Sequence, residues 1–111
     1  MQGHDQYTNV RSVQFSPDGR RIVSGSDDTS IRVWGATVGV EVLPTIRGHS
    51  DRVNSTAFSP DGKTIVSGSS DRAIRIWDAM TGDKLTVNDE LHGVPRVAFS
   101  QWNHGYRLFT V

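Results

Sequence analysis

Residues Ser55–Trp77 read STAFSPDGKTIVSGSSDRAIRIW, and Ser12–Trp34, 43 residues earlier, read SVQFSPDGRRIVSGSDDTSIRVW. Fifteen of the 23 positions are identical, and no gap interrupts the copied block. A fixed period of this size marks one supersecondary unit used repeatedly, not a single irregular design. The chain of 111 residues is therefore counted in repeats.

Outward from that block, three segments ending in Phe-Ser read as first strands: Val13–Ser16, Thr56–Ser59 and Val97–Ser100. The first two run into Ser-Pro-Asp-Gly, which predicts a chain reversal. Pro17 and Pro60 preset φ for the first central turn position, and Gly19 and Gly62 accept a positive φ. Second strands follow at Arg21–Ser26 and Thr64–Ser69, beginning apolar and ending small, as an inner strand should where neighbouring sheets converge on an axis. Tight turns at Asp28 and Asp71 lead to third strands at Ser30–Trp34 and Ala73–Trp77, whose Ile, Val and Trp suit a pleated buried surface. The fourth segments are looser. Val40–Ile46 contains Pro44, which suits an edge strand because no ladder bond is needed on its outer side, and Lys84–Val87 follows the turn Met80–Asp83. Four strands per repeat, the last an edge, make one antiparallel sheet, so the fold class is all-β.

Composition narrows the function. Twelve Lys and Arg balance twelve Asp and Glu, so no basic field recruits nucleic acid or an anionic membrane, and neither is expected as a partner. Cysteine is absent, which removes disulfides and thiolate metal sites and agrees with a reducing compartment. The start, MQGHDQYTNV, lacks a basic segment followed by an apolar core, and no run approaches a membrane span. A cytoplasmic or nuclear protein is the expectation.

Gly3-His4 precedes the first copy, Gly48-His49 holds the corresponding place in the second, and Leu91-His92 repeats it 43 residues on. Gly-His, Phe-Ser-Pro-Asp-Gly, Ser-Gly-Ser-x-Asp and Ile-Arg-Ile-Trp-Asp (Ile74–Asp78), in that order, resemble the WD repeat of β-propellers. The resemblance covers residues 3–89 well and 90–111 in degraded form. It implies a partial β-propeller: blade one at about 3–47, blade two at about 48–90 and an incomplete blade three at about 91–111. Three departures stand out. Gly35 replaces the Asp after the first Trp, two extra residues separate His4 from its strand, and Gln101–Gly105 replaces the compact Ser-Pro-Asp-Gly turn.

The resemblance also implies a structural tetrad of His, Ser or Thr, Asp and Trp in each blade. Here that maps to His4, Ser24, Asp28 and Trp34, to His49, Ser67, Asp71 and Trp77, and to His92 and Thr110 of the third copy. The chemistry is coherent by itself. Asp accepts from one imidazole nitrogen, the other nitrogen accepts from the hydroxyl, and the hydroxyl oxygen accepts from the indole N–H.

His, Ser and Asp are also the parts of a nucleophilic triad. Ser24 and Ser67, however, sit mid-strand among small residues, without a Gly-x-Ser-x-Gly elbow. Gly62-Lys63-Thr64 imitates the tail of a phosphate loop, but its upstream glycine would fall at Ala57 and the segment is a hairpin turn. Asn54-Ser55-Thr56 matches a glycosylation acceptor that has no secretory signal before it. No catalytic residue, cofactor or metal is assigned. Three histidines take tetrad positions and His104 reads as a solvated loop residue. Arg32 and Arg75 read as packed stems with outward charges.

Two blades and part of a third would leave two sheet faces open, each of roughly 300 Å² for four strands about 4.8 Å apart and about 17 Å long. Such faces call for further blades in cis, in trans or by homo-oligomerisation. The resemblance implies a non-enzymatic scaffold that binds other proteins and forms part of a larger WD-repeat propeller. Its partner-binding rim, by family analogy, carries Asp27, Thr29, Asp51, Arg52, Ser70 and Arg72. Asp27/Ser70 and Thr29/Arg72 differ between otherwise matching blades, through partner recognition or through drift at exposed positions. The competing classes are a self-assembling ring that receives a ligand or glycan, with Trp102 as its spare aromatic, and a non-catalytic module of a signalling enzyme.

Overall fold

The first two strands of each full repeat are joined by a reversal that the sequence writes twice. In the first Ser-Pro-Asp-Gly turn, the Ser16 hydroxyl donates to Asp18 (2.7 Å) while accepting the Arg21 N–H (3.0 Å), and Gly19 takes φ +72°. Its copy places Ser59, Asp61, Thr64 and Gly62 (φ +74°) in the same relation. A side chain that caps its own turn removes alternatives for the backbone there, so the flanking strands are joined in one register.

The computed structural model describes residues 9–88, 97–102 and 105–110. It contains ten strands: β1 (Val10–Phe15), β2 (Arg21–Ser26), β3 (Ser30–Gly35), β4 (Ile46–Arg47), β5 (Val53–Phe58), β6 (Thr64–Ser69), β7 (Ile74–Asp78), β8 (Lys84–Asn88), β9 (Val97–Trp102) and β10 (Gly105–Thr110). They form two four-stranded antiparallel sheets, β1-β2-β3-β4 and β5-β6-β7-β8, and a two-stranded sheet of β9 and β10. The two larger sheets share pairing as well as sequence. Phe15 opposes Ile22 and Phe58 opposes Ile65, and each first strand is bulged at its start, between Val10 and Ser12 and between Val53 and Ser55.

The sheets meet through the first strand of blade two. Val23, Ile31, Val33 and Ile46 of blade one and Val53, Phe58, Ile65, Trp77 and Ala79 of blade two form one buried cluster. Polar bonds stitch the same seam. The Thr56 N–H donates to Ser12 Oγ (3.0 Å), the Phe58 N–H donates to Gln14 Oε1 (3.1 Å), and Arg21 Nη1 donates to the Ala79 carbonyl (2.8 Å).

The second strand is an inner strand, as expected, between β1 and β3; β1 ends its sheet, and β5 lies against β1 and β2. Gly25 is small because a Cβ there would lie 2.6 Å from Val53 Cγ1 on the neighbouring sheet. The fourth strand of blade one does not run from Val40. Glu41 makes an isolated bridge to Trp34, Pro44 breaks the ladder, and pairing resumes for two residues at Ile46 and Arg47. Gln101 and Gly105 lie on β9 and β10, with Gly105 opposite Trp102. Finally, the charges of Arg32 and Arg75 do not point outward. Their side chains are 12% and 16% exposed, Arg32 Nη1 donates to Glu41 Oε2 (3.0 Å), and Arg75 Nη2 lies 4.0 Å from Asp71.

Candidate functional site

The site is built where the loop before β5 meets the turn between β6 and β7. Ser70 N–H donates to the Arg52 carbonyl (3.0 Å), and Ser69 Oγ donates to the same carbonyl (2.8 Å). This clamp brings His49 over the end of β6. Its Nδ1 lies 2.9 Å from Asp71 Oδ2 and its Nε2 lies 2.6 Å from Ser67 Oγ, while Trp77 Nε1 donates to that same Ser67 Oγ at 2.9 Å. The indole N–H has no acceptor role, so it donates; the hydroxyl then donates to Nε2, and the Nδ1 proton goes to the carboxylate. The four side chains, from one loop, one turn and two strands, thus form a linear run of three hydrogen bonds, Trp77 to Ser67 to His49 to Asp71, that ends on the carboxylate.

Burial and hydrogen bonding set the charges. Burial pushes the His49 imidazole below its ordinary value of 6.5, against the pull of Asp71, so it is held neutral. Burial alone would raise Asp71, but the N–H groups of Ser50 (3.0 Å) and Ala73 (2.8 Å) and the imidazole outweigh it and hold the carboxyl low. Gly48 completes the packing, since a Cβ there would lie 2.8 Å from the far edge of the Trp77 ring. Ser67 is fully buried and its oxygen is engaged twice. The assembly is a brace that ties turns to strands, without room for a substrate at the hydroxyl.

In blade one, Trp34 Nε1 donates to Ser24 Oγ at 3.0 Å, and Asp28 accepts from both the backbone N–H and the hydroxyl of Ser30. His4 and His92 lie outside the described residues. Thr110 is placed on β10 by its backbone pairing with Val97.

Five of the six rim residues fall into two groups. Asp51 and Arg52 expose about half of their side chains (55% and 50%), and Arg72 is exposed. Asp27 is committed instead: Arg11 donates to both of its oxygens (2.6 and 3.0 Å), and Arg52 Nε stands 3.9 Å away. Ser70 is committed likewise, accepting from Asn54 Nδ2 at 2.9 Å. Arg11 and Asn54 are the residues that sequence reasoning missed. They stand 43 positions apart, and they differ together with Asp27 and Ser70, so one blade carries an ion pair where the other carries a neutral pair. That joint difference was the available signal. Thr29 (φ +74°) and Arg72 (φ +67°) share the left-handed conformation at the equivalent turn position, which fixes the direction of both turns.

A family model described as "WD domain, G-beta repeat" matches residues 1–35 and 40–78. The chain belongs to the WD40 family. Among the relatives of this WD40 chain, the F-box/WD repeat-containing protein 7 of Drosophila melanogaster is 45% identical over 53 residues, 48% of the chain and 4% of that protein. The ribosome biogenesis protein ERB1 of Debaryomyces hansenii is 39% identical over 46 residues, 41% of the chain and 5% of that protein. The solved WD40 repeats of RRP9 superpose with a TM-score of 0.85 at 26% identity, over 96% of the chain and 33% of the solved one, and U3-55K matches equally well. The WD40 chain therefore spans about a third of its solved neighbours and a small part of these curated relatives. Its all-β sheets are blades of a propeller, a fold that generally serves as a non-catalytic interaction scaffold.

Proposed function

We propose that this WD40 chain is a protein-interaction scaffold whose contact surface is the rim of blade two, and that further blades, in cis, in trans or from other copies, cover its open sheet faces. The observation that carries the reading is the placement of Asp51, Arg52 and Arg72. Their side chains are exposed, yet the Asp51 and Arg52 carbonyls accept from Ser69 Oγ and the Arg72 N–H donates to the Ser69 carbonyl, so all three backbones are tied to the end of β6. A charged surface held this way orders little on binding, so its contacts translate into affinity with a small entropic loss. Paired side chains such as Asp27 and Arg11 shape that surface without being free to leave it.

The test is to isolate the proteins bound by the wild-type chain and by an Arg52→Glu/Arg72→Glu variant under identical conditions. The reading expects a defined set to be lost from the variant while its circular dichroism is unchanged. An identical set on both chains would place recognition elsewhere.

A further inference from the structure

On the opposite side of the sheets from the tetrad, the two Ser-Pro-Asp-Gly turns stand side by side, close enough that a Cβ at Gly62 would lie 3.7 Å from Pro17. Between them opens a cleft of about 430 Å³ that also reaches the β7–β8 turn at Met80. Its chemistry is divided. Pro17, Phe58 and the exposed Met80 provide apolar surface, while Arg20, Arg21 and Lys63 bring three positive charges against the two negative charges of Asp18 and Asp61.

The carboxylates are already occupied. Asp18 accepts from the Ser16 hydroxyl and the Arg20 N–H, and Asp61 accepts from the Ser59 hydroxyl and the Lys63 N–H. Those bonds hold both carboxyls below the usual range. Arg21 is fixed in the wall by its bond to the Ala79 carbonyl. Arg20 and Lys63 are exposed and stand in the field of Asp18 and Asp61, but among the described residues neither makes an ion pair within 4.0 Å.

We infer that this cleft between the turns of blades one and two binds an acidic peptide segment of a partner protein, its carboxylates on Arg20 and Lys63 and an aliphatic side chain against Pro17 and Met80. Charge complementarity selects the ligand. The lining carries one net positive charge, its exposed cations Arg20 and Lys63 can reach carboxylates spaced along a peptide, and the apolar wall gives an aliphatic side chain a place out of water. This surface is separate from the blade-two rim, so either can fail without the other.

The experiment titrates the 15N-labelled 111-residue chain with the end-capped peptide Gly-Glu-Leu-Glu-Gly, with its Gly-Lys-Leu-Lys-Gly and Gly-Glu-Ser-Glu-Gly counterparts, and with hexathymidylate. The leucine-containing acidic peptide should give saturating shifts at Gly19, Gly62 and Met80, stronger than those of the serine peptide, while the lysine peptide gives none. Arg20→Glu/Lys63→Glu should weaken the acidic peptide by about tenfold or more, as expected for reversing two exposed charges, with circular dichroism unchanged. Equal responses to the acidic and basic peptides, indifference to the double reversal, no loss on replacing leucine by serine, or hexathymidylate occupying the cleft in preference to the peptide would each overturn the assignment.

Discussion

Phe15 and Phe58 hold the same place in two copies of one sequence, yet Phe15 is 59% exposed and Phe58 is 6% exposed. Their own sheets treat them alike, since each faces the equivalent isoleucine, Ile22 or Ile65, across the hairpin. The neighbour makes the difference. β5 lies against blade one, which supplies Val23, Ile31 and Val33 to its core and Ser12 and Gln14 to its backbone, whereas Val13 and Phe15 meet no such sheet among the described residues. A blade is thus a unit of local geometry whose core is completed by the blade beside it.

Substitutions can break this comparison in graded steps. Phe58→Ala should be the most damaging, at about 3–5 kcal/mol for a buried aromatic, while Phe15→Ala in the same chain should stay within about 0.5 kcal/mol. Urea denaturation of both variants checks it, and equal losses would mean that the seam contributes nothing special. Ser67→Ala comes next at about 2–3 kcal/mol, because it strands two buried partners, the His49 imidazole and the Trp77 N–H, without their shared oxygen. Thermal melting in which Ser67→Ala behaves like wild type would show that the tetrad is decorative.

The pH response sharpens the picture of blade two. His49 is held below its unfolded value, so the unfolded chain takes up the proton first on acidification, and stability falls as pH drops through the ordinary imidazole value of 6.5. The depressed Asp71 adds a second loss below the ordinary carboxylate range. His49→Gln should flatten the first limb and leave the second, as read from denaturation midpoints across pH. The smallest effect belongs to the rim. Arg11→Asn with Asp27→Ser gives blade one the neutral pair of blade two and should be nearly silent, whereas Arg11→Asn alone should show a slight loss that high salt erases.

The repeat made the blades legible, because turn chemistry, strand periodicity and the His, Ser, Asp and Trp spacing all pointed to one local structure. What stayed hidden depends on the neighbouring sheet or on a residue far along the chain. Gly25 looks like a strand end that narrows toward an axis, and only the approach of Val53 explains it. Arg32 looks like a solvated cation until Glu41, beyond a broken fourth strand, is seen beside it. The rim suffered most. Asp27 and Ser70 read as rim positions varying through recognition or drift, and their bonds to Arg11 and Asn54 join residues 16 apart in sequence.

The most direct test of the buttressed blade is amide hydrogen exchange on the intact chain, comparing Thr56 and Phe58 with Val13 and Phe15. The account predicts slow exchange at Thr56 and Phe58, whose N–H groups donate to Ser12 and Gln14 across the seam, fast exchange at Val13 and Phe15, and loss of the difference in Ser12→Ala/Gln14→Ala. Equal exchange rates at the two pairs in the wild-type chain would contradict it.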